Sequence, residues 1–110
     1  MTMNERPIPE AAFQDKDAVE MLRVWIAGRK LHCSLKVGMY QESTNISEPV
    51  AWGTILADAA RHIASALQTG YGLDPEETTQ RLKESFVNEL DKPSSSAQGK
   101  FVGGDKARLS

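Results

Sequence analysis

Leu22-Arg23-Val24-Trp25-Ile26-Ala27-Gly28-Arg29-Lys30-Leu31-His32-Cys33-Ser34-Leu35-Lys36-Val37 is the stretch that decides the fold. Two apolar-rich runs flank a Gly-Arg pair. The first predicts a strand over 19–26, because Leu22, Val24 and Ile26 alternate with Arg23 and Trp25. The second predicts a strand over 31–37, with Leu31, Cys33, Leu35 and Val37 on one face and His32, Ser34 and Lys36 on the other. Gly28 tolerates positive φ, which suits the first central position of a two-residue type II′ turn. That turn sets Ala27 opposite Lys30, Ile26 opposite Leu31, Val24 opposite Cys33 and Leu22 opposite Leu35. A loop one residue longer sets Ile26 opposite His32 and spoils every pair, because side chains alternate with a period of two. The second face carries Met21, Arg23 and Trp25 against Lys36, Ser34 and His32. It is too apolar for a plain solvent face and too polar for a core, so these residues form a candidate ligand or partner face. Cross-strand packing is the competing role for them.

Downstream, residues 38–46 read as a loop. Ser47 is an N-cap with Glu48 and Pro49 in the first turn, where a carboxylate favours the helix dipole and proline's missing N–H costs nothing. Trp52, Ile55, Leu56, Ala59, Ile63, Ala66 and Leu67 form a stripe at helical spacing, and Gly70 is the expected C′ residue, giving a helix over 48–69. Asp74 caps a second helix over 75–91, with Pro75 at N1, Glu77 at N3 and an apolar edge of Leu82, Phe86 and Leu90. The first helix is expected to cover the Leu22, Val24, Cys33 and Leu35 face. Residues 1–17 read as a flexible N-terminal arm and 93–110 as a disordered tail, since small polar residues and glycines bury too little to offset ordering entropy. One domain over 18–92 remains, of class α+β with the order ββαα. An isolated hairpin is marginal in water. The predicted architecture is therefore completed by a homodimer, either continuing the antiparallel sheet or burying the Trp25 face; the alternative is that the second helix or the N-terminal arm covers that face.

Composition narrows the function. The chain has 110 residues, 40% hydrophobic and 25% charged, and a net charge of −2 from 13 basic and 15 acidic residues. That balance weighs against nucleic-acid binding, which displaces counterions with a basic surface. A ribbon-and-helices dimer that reads DNA is the third-ranked function. One cysteine, Cys33, makes no intrachain disulfide, and no apolar run approaches a membrane span or a signal peptide, so a cytoplasmic location is expected. No phosphate-binding loop, CxxC or HExxH occurs, and no cofactor or metal is predicted.

The weak candidates for chemistry are Asp58, Arg61 and His62. Asp58 and His62 stand four apart on one helix, so a carboxylate can orient an imidazole. A half-buried histidine bonding its neighbour is the plainer reading. Cys33 lies on the apolar face, where a thiol behaves as a small hydrophobe. The expected function is a non-enzymatic homodimeric interaction module with a possible protein partner. A ligand-binding or catalytic domain using Asp58, Arg61 and His62 is the alternative.

Arg23-Val24-Trp25-Ile26 and Ala51-Trp52-Gly53, followed by Leu56, Asp58 and Ala60-Arg61-His62-Ile63-Ala64, resemble a family of small bacterial proteins of about a hundred residues. It is a domain-of-unknown-function family, and the resemblance covers residues 18–72. It implies a bacterial origin and no known activity, and it carries over no site residues.

Overall fold

The computed structural model describes residues 4–94, 99–101 and 106–109. Strand β1 (Leu22–Ala27) pairs antiparallel with β2 (Lys30–Lys36). The register is the one the sequence requires: Leu22 faces Leu35, Val24 faces Cys33, Ile26 faces Leu31 and Trp25 faces His32. Beyond the strand ends, the Lys36 N–H donates to the Met21 carbonyl at 3.0 Å.

The turn corrects the expected type II′. Gly28 and Arg29 both have positive φ, 58° and 64°. That is the type I′ pattern, whose twist matches the right-handed twist of the strands. Arg29 is the one non-glycine residue at positive φ among the described residues. The left-handed region costs an L-residue about 1–2 kcal/mol, so the strand pairing holds Arg29 against its own preference.

The sheet has four strands in the order β1-β2-β4-β3, with β3 at Gly99–Phe101 and β4 at Lys106–Leu109. Strand β4 pairs antiparallel with β2, Cys33 opposite Leu109 and Lys36 opposite Lys106. Part of the segment expected as a tail thus returns to the sheet; residues 95–98, 102–105 and 110 lie outside the described residues. The cause is backbone chemistry. An open edge of β2 offers unpaired N–H and C=O groups to any extended segment, whatever its side chains. The fourth strand comes from the same chain, so sheet completion does not require a second copy.

At the N-terminus, α1 (Glu10–Phe13) is a single turn after Pro9. The arm is tied to the sheet through the ion pair of Glu5 with Arg23 of β1. A short helix, α2 (Met39–Ser43), forms inside the expected loop.

Helix α3 spans Glu48–Tyr71. The Ser47 hydroxyl accepts from the Val50 N–H at 3.4 Å, which satisfies one of the free amides of the first turn. The helix continues through Gly70 and ends at Gly72, whose φ is 71°. There the Gly72 N–H donates to the Gln68 carbonyl at 2.9 Å, closing the last turn in a left-handed cap. Helix α4 (Pro75–Asp91) begins as predicted, with the Asp74 carboxylate accepting from the Glu77 N–H at 2.9 Å.

Helix α3 packs along α4 and meets α2; it is not laid across the hairpin. This corrects the expected packing on Leu22, Val24, Cys33 and Leu35. Ile26 is 77% exposed and Leu31 62%, Val24 is exposed too, and Leu22, Cys33 and Leu35 are half-buried. The buried side chains on the helices are small: Ala51 and Ala64 on α3 and Thr78 on α4. Among the larger apolar side chains Ile55, Leu67 and Leu82 are half-buried, and Leu56, Ile63, Phe86 and Leu90 are exposed.

The result is an open molecule. Its accessible surface is 9468 Å², against roughly 6,000 Å² for a compact monomer of 12.1 kDa. Its radius of gyration is 15.8 Å, against about 13 Å for a compact chain of this length.

Candidate functional site

Three constellations bear on function, and each is set by local sequence. The first is the flank of α3. Asp58 lies three residues before Arg61 and four before His62, so all three stand on one side of the helix. The structure brings them together as the spacing predicts. The Arg61 guanidinium donates to Asp58 Oδ1 at 3.1 Å, and His62 Nε2 lies 3.5 Å from Asp58 Oδ2. All three side chains are more than half exposed. Water screens such a group, and the carboxylate has two solvated partners rather than a substrate-shaped enclosure. The arrangement orients the His62 ring and does no more in the geometry seen.

The second constellation is the candidate partner face. Arg23 donates from Nε to Glu20 Oε1 at 2.8 Å and from a terminal nitrogen to Glu20 Oε2 at 3.2 Å, and it also pairs with Glu5. The hydrogen bond to Glu20, then that to Glu5, push the guanidinium's pKa further up, so the side chain is firmly cationic and already occupied. His32 places Nε2 3.0 Å from the Ala27 carbonyl, closing on its own hairpin. Met21 and Trp25 are half-buried. Beside them the arm and β1 enclose a cleft of about 650 Å³, bordered by Pro7, Ile8, Phe13, Leu22, Arg23 and Trp25. An arm lying beside this face was the alternative to a dimer in the sequence reading, without the residues that carry it. Ile8 and Phe13 between prolines and charges were the available signal, and proline content outweighed them.

The third was also missed. Glu48, read only as a carboxylate near a helix dipole, is a structural node. Its Oε1 accepts from the backbone N–H groups of Tyr40 (2.7 Å) and Gln41 (3.0 Å), and its Oε2 accepts from the Trp52 indole at 2.9 Å. Partial desolvation pushes this carboxyl up. The bonds from Gln41, Gly38, Trp52 and Tyr40 outweigh that and hold it below the usual carboxylate range. One side chain therefore fastens the start of α2 to the start of α3. The Glu48–Trp52 spacing of four was its sequence signal.

Among the described residues, no cluster of three or more His, Cys, Asp or Glu side chains is placed to hold a metal ion. No helix among them is long and apolar enough to cross a membrane.

The model of the family described as a domain of unknown function, DUF5076, matches residues 5–94. The chain belongs to the DUF5076 family. The match takes in most of the N-terminal arm and all of α4, well beyond the stretch 18–72 that carried the resemblance. A solved structure from the photosynthetic bacterium Rhodopseudomonas palustrus CGA009, described as a "putative pyruvate dehydrogenase", has a similar fold. The TM-score is 0.67 at 24% identity, covering 93% of this chain and 98% of that one. The likeness is one of fold. No curated protein matches the chain.

Proposed function

We propose that this DUF5076 chain is a non-enzymatic homodimeric interaction module of the cytoplasm. The observation that supports it is the apolar surface left open by the monomer. Ala51 and Ala64 are the buried apolar residues among those described, while Val24, Ile26, Leu31, Leu56, Ile63 and Phe86 all stand exposed. Large apolar side chains thus stand open on the hairpin, on α3 and on α4, which offers surface for a partner. The surface in excess of a compact chain is roughly 3,500 Å², the difference between 9468 and about 6,000 Å². Obligate homodimers remove roughly 1,000–2,500 Å² from each partner, so one interface of ordinary size fits within it.

Catalysis by Asp58, Arg61 and His62 has less support, because their geometry is that of a solvated surface ion cluster. The test is sedimentation equilibrium of the purified full chain at micromolar concentration. The expected species has twice the 12.1 kDa chain mass. A compact 12.1 kDa monomer removes the reading.

A further inference from the structure

The exposed face of α3 has a pattern that selects its own partner. Trp52, Leu56, Ala59, Ile63, Ala66 and Gly70 follow one another at spacings of 4, 3, 4, 3 and 4. That is the 3.5-residue period of a coiled-coil seam, rather than the 3.6 of a helix resting on a sheet. Most of the seam stands open within the chain; Trp52 is the exception, its indole bonded to Glu48. Leu56 is 38% exposed and Ile63 47%; Ala59, Ala66 and Gly70 are exposed, and Trp52 is half-buried. The more covered residues Ala60, Ala64 and Leu67 lie about a quarter-turn away around the helix.

Large and small residues are distributed along the seam in a self-complementary way. A second α3 laid antiparallel, with the two-fold axis at the level of Arg61, sets Ala59 against Ile63, Leu56 against Ala66 and Trp52 against Gly70. Each large side chain meets a small one, and each pair occurs twice by symmetry. A heptad shift in one direction sets Trp52 on Ile63; in the other it sets Ala59 on Gly70. A parallel pairing puts Leu56 on Leu56 and Ala59 on Ala59, alternating crowded and empty layers, which close packing disfavours. Antiparallel helices also oppose their dipoles favourably. The seam runs 18 residues from Trp52 to Gly70, about 27 Å at the helical rise.

The geometry points to a second copy of this chain as the occupant of this face: the homodimer is built on an antiparallel α3–α3 seam centred at Arg61. This rests on the homodimer reading above and specifies its interface. The two-fold lies at the level of Arg61 only in height: that side chain stands on the opposite side of the helix, and His62 is the member of the cluster nearest the seam.

The test exchanges the central layer. Ala59→Ile puts Ile against Ile63, and Ile63→Ala leaves Ala against Ala59; the double variant restores one large and one small residue per layer in reversed order. Dimer dissociation is measured by sedimentation on full-length chains, with circular dichroism as the control for helix content. Both positions are exposed in the monomer, so the fold should survive all three changes. Each single variant is expected to weaken the dimer at least about tenfold, and the double variant to return to within about threefold of wild type. If wild type is dimeric and the single variants dissociate as it does, the seam is overturned and the homodimer stands on another face. If the singles weaken the dimer but the double fails to recover, the proposed register is wrong. A monomeric wild type overturns both readings.

Discussion

The hairpin and the α3–α4 pair spend their apolar residues in opposite ways. In the hairpin every cross-strand pair is in register, yet the face those pairs create stays open, with Ile26 and Leu31 more exposed than covered. On the helices no tight turn prescribes a register, yet Ala51, Ala64 and Thr78 are buried. Register is a local property, set by a two-residue turn and the period of the strand. Burial is a property of what comes to lie on top. An element can be fully specified and still be unfinished.

The sharpest way to break this contrast is to enlarge the buried side. Ala64→Leu forces extra volume into the closed face of α3 and should cost about 1–3 kcal/mol, read as a lower urea midpoint. Ile26→Thr on the open strand face should stay within about 0.5 kcal/mol. Equal losses from the two would show that the hairpin face is covered in the free chain.

The next effect concerns the node between the two regions. Glu48 has a carboxyl held below its ordinary value. Its contribution is therefore complete above the unfolded glutamate pKa of about 4.3 and is lost as pH falls through the lower folded value. Glu48→Gln should lower stability at neutral pH and flatten the acid side of the stability curve. An unchanged acid limb in urea titrations from pH 7 down to pH 3 would remove the node's role.

Legibility followed the same division between local and distant interactions. Ser47 and Asp74 were readable as caps because a side chain bonds an amide three residues on. The hairpin register was readable because Ile26 has one acceptable partner. Where α3 ends was not, because Gly70 and Gly72 both tolerate the left-handed conformation and flank a single Tyr71. The turn type was misread because Arg29 in that conformation is locally unfavourable and is imposed by strand twist. The strand at 106–109 is fixed by pairing with β2, about 70 residues earlier in the chain, and the strand at 99–101 by pairing with 106–109 in turn; no local pattern spans the first distance. Of the candidate site, the Asp58–Arg61–His62 cluster was legible in its spacing. Its exposure was not, because burial depends on where α4 and the sheet lie. The role of Glu48 was missed, and the arm stood only as an alternative cover for the Trp25 face, because their partners come from other elements.

A smaller effect sharpens the hairpin's side of the comparison. Arg29→Gly relieves the left-handed residue and should stabilise by about 0.5–1 kcal/mol after the added chain entropy is counted. A higher urea midpoint with an unchanged slope is the expected result; a loss would mean that the Arg29 side chain contributes more than its backbone costs. Smallest of all is Asp58→Asn. It separates a solvated cluster from its charge and should shift stability by under about 0.5 kcal/mol, measured at low salt, where surface charge counts most.

Cys33 gives the open sheet a chemical voice. It is the single thiol in the chain, half-buried, on the strand face where Val24 and Leu31 stand exposed. The unmodified protein therefore carries its own reporter group. The rate at which a bulky maleimide or disulfide reagent consumes that sulfhydryl reads how often the face is uncovered. Any molecule that settles there announces itself as a slower reaction.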